Sequence, residues 1–504
     1  MARRIIAVAV VFLVVLAGCQ GAPGADTSTT PDVTSTSPAE STTEPQSTDA
    51  SSFDYADPDE DVLGWEGGFW YNESIDVDRS NGLNDTELAA VVNRSMARVE
   101  RIRDIEFERS VPVEIVSREE FANDTADAYG NVSRNASLHQ NVKFEATFML
   151  AENESAIAQL QSNRAASVGG YYSPTEDRIV IVSENTSSPK MDEITLSQEL
   201  FHALQDQQFD ITDYNQSTQE LHNARDGIIE GDGNYVDYLY GERCAESWDC
   251  LMPQQQAGGG GGSGDRHLGI AAIKLQPYSD GPVFVQQLRE EGGWDAVNAV
   301  YEQPPKSTEQ TIHPEKYGED APTDVTVADA STDAWSTPDM GNGSVDFAQF
   351  GEAGLYSMLW YPSYAESIEQ GAVTNVVVPY RHFVAPAQNS GTLDLYNYSY
   401  EYTAGWDGDK LVPYVTENSA QSNETAYVWK TAWDSDTEAG EFAEGYRLLL
   451  EHHGAERVDG TANVYRIPEG ENAFADAFRV VVSGDTVTIV NAPTVAQLDD
   501  VHAA

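Results

Sequence analysis

Eighty-three Asp and Glu side chains stand against 28 Lys and Arg in this 504-residue chain, and the resulting net charge of -55 constrains every fold it can adopt. Like charges spread over a compact surface repel one another, so a folded state of this composition needs screening. Multimolar salt contracts the Debye length to about 3 Å or less, which makes the repulsion tolerable. The acid is distributed through every segment rather than collected in a tail, the pattern of haloarchaeal proteins. It excludes nucleic acid and anionic lipid surfaces as partners. No D-x-D-x-D-G loop occurs, so the carboxylates are not arranged as EF-hand-type calcium ligands.

The N-terminus sets the compartment. Met1-Ala2-Arg3-Arg4 precedes an apolar run from Ile5 to Ala17, followed by Gly18-Cys19. The run is too short to span a bilayer and is basic only in front, so residues 1–18 read as a signal peptide. Leu16-Ala17-Gly18-Cys19 has the form of a lipobox, with Cys19 as the lipidated residue, and Arg3-Arg4 resembles a twin-arginine export signal. Residues 19–52 are mostly Thr, Ser, Pro, Ala, Asp and Glu with no aromatic residue, a composition that stays solvated as a tether. The expectation is a lipid-anchored protein on the extracellular face of the membrane. Twelve sequons agree with export and predict glycosylation: Asn72, Asn84, Asn93, Asn123, Asn131, Asn135, Asn153, Asn185, Asn215, Asn342, Asn397 and Asn423. Cys244 and Cys250, six residues apart, are expected to form a disulfide in that oxidising compartment.

The remaining chain is long enough for two α+β regions, 53–318 and 319–504. Ser95–Phe107 reads as a helix, and "SVPVEIVSREEFAND" as a strand leading into another. In "GGYYSPTEDRIVIVSEN" the residues Pro174–Asp177 turn between a Tyr-rich run and a β-branched run, which predicts a hairpin. Helices are expected at the stretch "DEITLSQELFHALQDQQFD" and over Gln219–Arg243, and Gly258–Gly262 as a surface loop. Beyond residue 319, a helix over Phe347–Glu369, strands around "LVPYV" and "AYVWKTAW", a helix through "DTEAGEFAEGYRLLLEHHG" and a hairpin at Gly484-Asp485 predict an antiparallel sheet covered by helices.

One helix carries chemistry. In "SQELFHAL", Gln198 and His202 lie about 40° apart on one face, and Glu199 follows Gln198 as the general base follows the first ligand in H-E-x-x-H. Glu230, on the next expected helix, can fold back to offer a carboxylate. The same letters have plainer readings. Thr195 and Gln198 spell a capping box, and His202 can simply hydrogen-bond a buried carboxylate such as Glu230. His313, before Pro314, reads as a turn histidine, and His452-His453 as a cationic helix end.

"ELFHALQDQ", "IEGDG", "PPKSTEQTIHPEKY" and "GWDGDKL" together resemble a family of prokaryotic exported gluzincin-like proteins, with the chain similar to a haloarchaeal surface-lipoprotein branch of it. The family pattern reads H-E-L-x-H-A-L-Q-D-Q, E-G-D-A and P-P-x-S/T-T-E-Q-I-L-H-P. The resemblance implies a zincin-like metallopeptidase fold for the first region, zinc as cofactor, Glu199 as general base, and His202 and Glu230 as second and third ligands. Gln198 stands where the first histidine belongs. A full zinc site is worth on the order of 10–16 kcal/mol, so a ligand loss of roughly 3–4 kcal/mol weakens binding by two to three decades. The sequence therefore predicts a degenerate zinc site in a protein that binds a peptide or extracellular protein segment. An active peptidase and a purely structural envelope lipoprotein are the alternatives.

Overall fold

The computed structural model describes residues 56–183, 185–187, 189, 193–251, 266–341, 344–371, 373–384, 393–470 and 473–503. The signal peptide, Cys19, the tether, Gly258–Gly262 and Asn342 lie outside the described residues.

A small hairpin, β1 (Trp65–Glu66) and β2 (Phe69–Trp70), rests on α1 (Asp85–Arg103). Helix α1 opens on a capping box: Asn84 Oδ1 accepts the Glu87 N–H, and the Glu87 carboxylate accepts the Asn84 N–H at 3.0 Å. Then come β3 (Val113–Ser117), α2 (Arg118–Gly130), α3 (Arg134–Ala146), α4 (Ala156–Ser167), β4 (Gly170–Ser173) and β5 (Arg178–Ser183). They form a three-stranded sheet, β3-β5-β4, with β3 parallel and β4 antiparallel to β5. No strand among the described residues pairs with the outer edge of β4. Helix α5 (Glu193–Phe209) packs against β4 and β5, α6 (Gln219–Glu246) against α5, and α7 (Leu268–Glu302) against α6. Helix α7 breaks at Gly293, whose φ of 70° suits a residue without a Cβ.

The second region adds α8 (Glu309–Ile312), α9 (Gly351–Gln370), α10 (Tyr380–Phe383), β6 (Trp406–Val415), α11 (Ser419–Ser422), β7 (Thr425–Trp433), α12 (Asp436–His452), β8 (Glu456–Arg457), β9 (Val464–Arg466), β10 (Ala477–Ser483), β11 (Thr486–Ala492) and α13 (Leu498–Val501). Its sheet runs β6-β7-β11-β10-β9-β8 and is antiparallel throughout. The chain is thus α+β with an antiparallel sheet. Both hairpins fall where the alternation and the turn residues put them.

The two regions share one core. Val142, Ala146 and Ala272 pack in the same cluster as Trp429, Phe442 and Tyr446. "PPKSTEQTIHPEKY" is the seam between them. The Thr308 N–H donates to Glu220 at 2.6 Å, Thr308 Oγ1 accepts the Ala353 N–H at 3.3 Å, and His313 Nε2 faces Glu352 at 3.1 Å. Asp409 of "GWDGDKL" is buried and accepts from the backbone of Phe350 and Gly351 and from Trp429 Nε1, holding the start of α9. These motifs stitch the molecule together rather than reach the α5 site.

Candidate functional site

Helix α5 is held at its N-terminus by a buried charge cluster. Glu193 accepts from Arg94 Nη2 at 2.9 Å, Arg98 Nη1 at 3.0 Å and the Leu251 N–H at 2.6 Å. Next to Leu251, Cys244 and Cys250 form the expected disulfide, with their Cα atoms 5.6 Å apart. Because the helix begins at Glu193, Thr195 sits inside its first turn and is no N-cap. The capping-box reading of Gln198 is overturned for that reason. Leu196, Leu200, Ala203 and Leu204 fill the core, and the next stripe carries Gln198, Glu199, His202 and Gln205 into the interior, all buried.

Helix α6 brings Glu230 to the same place. His202 Nε2 lies 3.3 Å from Glu230 Oε2, with the two side chains 1% and 2% exposed. Four consecutive residues of α6 explain the contact. Glu230 is the partner, and Gly231 admits α7, since a Cβ there would come within 2.6 Å of the Gly281 backbone. Asp232 anchors a relay described below. Gly233 leaves room for the imidazole, since a Cβ there would lie 3.1 Å from His202 Cε1 and 3.7 Å from Gln198 Cγ.

The other imidazole nitrogen is fixed by a chain of hydrogen bonds. Gln205 Nε2 donates to the Ile229 carbonyl at 2.9 Å and to Tyr301 at 2.6 Å, so its Oε1 is left to accept from His202 Nδ1 at 2.7 Å. Tyr301 in turn donates to Asp232 at 2.8 Å, and Arg103 closes the chain on Asp232 at 3.0 Å. A proton on Nδ1 aims Nε2 at Glu230, which is how a metal-binding histidine is oriented by its outer partners. Burial lowers the basicity of His202, but Glu230 outweighs it, and the net pKa is pushed up to about 9. Without a metal His202 is an imidazolium at neutral pH.

Glu199 lies under β4, where a Cβ on Gly170 would be 3.8 Å from its Cγ. The Tyr172 amide faces the Glu199 carboxylate, no described side chain donates to it, and Gln198 Nε2 has no acceptor among the described residues. Burial pushes the Glu199 pKa up to about 7, partly opposed by His202 and by the Tyr172 amide. A cavity of about 20 Å³ opens beside His202 and Glu230, bounded also by Tyr172, Gln216 and Asp226. That is room for about one water or ion.

Zinc fits these residues incompletely. His202 and Glu230 can share an ion, but the third position belongs to the amide of Gln198, a neutral and weaker donor. Among the described residues the three-carboxylate cluster with ligand spacing lies elsewhere, at Glu309, Asp320 and Asp434. Lys316 Nζ already occupies its centre, 2.5, 3.2 and 2.8 Å from those three. Nothing in the sequence flagged that cluster, because only the seam fold brings Asp434 to the other two.

The remaining sequence candidates sort by geometry. His313 pairs with Glu352 at the seam, and His452 ends α12, 3.5 Å from Glu366. Asn123, Asn131, Asn153, Asn185 and Asn215 are exposed, as is Asn84. Asn72, Asn93, Asn135, Asn397 and Asn423 are partly buried; Asn93 donates to the Gly67 carbonyl, Asn135 to that of Asp339 and Asn423 to that of Glu152. No helix among the described residues is long and apolar enough to cross a membrane.

A family model described as a domain of unknown function, DUF8575, matches residues 339–502. The match covers the second region, from shortly before α9 to the last helix, and stops short of α5 and α6. Comparison with curated proteins and with solved structures returns no match.

Proposed function

We propose that this chain is a cell-surface lipoprotein, anchored through Cys19, whose zincin-like first region carries a degenerate zinc site and uses the groove above it to bind an extended peptide or protein segment. The observation that carries the reading is the approach of His202 and Glu230 beside one small cavity, with Gln198 and Glu199 buried on the same face of α5 beneath β4, whose outer edge pairs with no described strand. Backbone groups on such an edge are available for strand addition, which supplies affinity without chemistry. One imidazole short, the site brings His202 Nε2 within 3.3 Å of Glu230 Oε2 but outside hydrogen-bond geometry.

One observation favours an active peptidase as the second reading. Glu199 is buried, with no side-chain donor among the described residues, and poised at about 7, a suitable value for a general base. Zinc titration separates the two. In matched high salt, Gln198→His should bind zinc about 100-fold more tightly than the wild type, from roughly 3 kcal/mol of added ligation. Equal affinities would mean that the wild-type site is complete, and the peptidase reading would replace the binding one.

A further inference from the structure

The cavity beside His202 has a charge balance of its own. Its lining holds two carboxylates, Asp226 and Glu230, one imidazole, His202, and no lysine or arginine. Both acids come from α6, one helical turn apart on one face, and both are buried, at 6% and 1% exposed. Glu230 Oε2 has no hydrogen-bond partner among the described residues. It lies 3.3 Å from His202 Nε2, which belongs to the only basic group in the lining.

Asp226 has a close neighbour, but that neighbour carries no charge. Its Oδ2 is 3.2 Å from His222 Nε2, and Gln216 Oε1 stands 2.8 Å from the other ring nitrogen. An amide oxygen can only accept, so the proton of the neutral ring sits on Nδ1 and Nε2 turns a lone pair to Asp226. Burial keeps the ring neutral, its pKa pushed down to about 3. Two cations act on Asp226 as well: His202, which also faces Glu230, and Lys274, which does not line the cavity. Burial and then Glu230 favour the neutral form of Asp226, and a cation placed between the two carboxylates opposes both effects.

The rest of the lining suits an apolar stem with a small charged end. Pro174, Ile211 and Ile229 supply apolar walls, and Thr212 is an exposed member of the lining. The volume of about 20 Å³ takes one water-sized group. A lysine ammonium is that compact, and its methylene stem packs on apolar surface; a planar guanidinium is broader. Tyr172 and Pro174 join the cavity to the groove, since Tyr172 lies on β4 and Pro174 follows that strand directly. Along β4 the buried Gly170 and Tyr172 alternate with the half-buried Tyr171 and Ser173. A strand added to the free edge therefore turns every second side chain towards the α5 side of the sheet, where the cavity is.

We propose that the cavity is a side-chain pocket at the end of the β4 groove, and that it takes a lysine of the bound chain with its ammonium against Asp226 and Glu230. The proposal rests on the peptide-groove reading and adds the substrate class, a lysine-bearing segment. Multimolar salt screens the acidic surface, so a preference for a basic chain has to come from contacts inside the molecule. Both carboxylates are already out of water here, and hydrogen bonds from an ammonium to them are charge-assisted. The seam shows the same arrangement filled from within, with Lys316 Nζ 2.5, 3.2 and 2.8 Å from Glu309, Asp320 and Asp434.

Labelled, N-acetylated heptapeptide amides of Ala and Val, with Ala, Lys, Arg or Glu at the centre, test the pocket by fluorescence anisotropy in high salt. Wild-type protein should bind the lysine peptide about tenfold more tightly than the alanine one, about 1.4 kcal/mol. Arginine should fall between them, and glutamate should gain nothing. Asp226→Asn should erase most of the lysine preference and leave the alanine peptide unchanged. An asparagine amide can donate to His222 Nε2, so this variant keeps the local fold. Equal binding of the lysine and alanine peptides by wild type, or an undiminished preference in Asp226→Asn, overturns the proposal. Should no peptide bind, propylammonium chloride at about 0.1 M, against matched KCl, separates pocket from groove. A melting temperature raised in wild type but not in Asp226→Asn discards the groove and keeps the ammonium pocket. Absence of that rise overturns the pocket as well.

Discussion

Two clusters of converging charge in this protein look alike by residue type and differ in what fills them. At Glu309, Asp320 and Asp434 three carboxylates converge, and Lys316 sits among them with all three within 3.2 Å. At His202 and Glu230 the convergence opens on a cavity, Glu199 lies buried beside them with no side-chain donor among the described residues, and both carboxylates act on His202. The first cluster is complete as it stands, so its acidity is structural. The second is held open, at a cost in stability that packing alone does not require. Open convergence, rather than the count of acids, marks a site.

The largest effect should come from emptying the filled cluster. Lys316→Met leaves Glu309 buried without its ammonium and should cost about 3 kcal/mol, in the lower part of the range for a broken buried pair because Asp320 and Asp434 face solvent. Denaturant melts in fixed high salt measure it. A neutral result would reopen these carboxylates as a cation site.

The matched change in the open cluster should go the other way. Glu199→Gln removes a buried carboxylate to which no described side chain donates, so stability should hold or rise by up to about 1 kcal/mol. A loss of more than that would reveal a partner for Glu199 and erase the contrast.

Both clusters tilt the pH profile in one direction. Burial first of all pushes Glu309 up to about 8 and Glu199 up to about 7 from an ordinary 4.5, and Glu230 helps push His202 up to about 9 from 6.5. A group whose folded pKa is raised binds more protons in the native state. Its stabilisation is therefore complete below the unfolded value and lost as pH climbs through the folded one. In metal-free protein the melting temperature should fall steadily between pH 5 and pH 9. A rise across that window would contradict the assignments.

The smallest effect belongs to Gly233→Ala. Helix propensity favours alanine by about 1 kcal/mol, and the 3.1 Å approach to His202 Cε1 takes most of that back. Stability should stay within about 0.5 kcal/mol of wild type. A large loss would show that His202 cannot yield, and that the open cluster is stiffer than its cavity suggests.

How much of this was legible beforehand varies by element. The β10–β11 hairpin was, because Gly484-Asp485 interrupts two alternating runs, and the turn at Pro174–Asp177 marked β4 and β5. Helix α6 was read within a few residues of Gln219–Glu246. Helix α7 gave no usable signal, since Pro277, Pro282 and Gly293 interrupt any helical pattern and only packing against α6 and α9 sustains it. The positions of Glu199, His202 and Glu230 followed from helical spacing and from the family-like motifs. The Gln205–Tyr301–Asp232–Arg103 chain that aims His202 did not, because its members come from four separate helices.

The sequence by itself determined what is local or summed: the charge, the disulfide across six residues, the turns, and the face of α5 that turns inward. Those depend on composition and on backbone period, which a string of letters carries. Tertiary structure decided which charges are neutralised and which are left waiting. Lys316 meets Asp434 across 118 residues, Arg103 meets Asp232 across 129, and Glu199 is buried with no side-chain donor among the described residues. Burial and the identity of the nearest counter-charge set what a carboxylate or an ammonium does, and both are fixed only when distant helices close on one another.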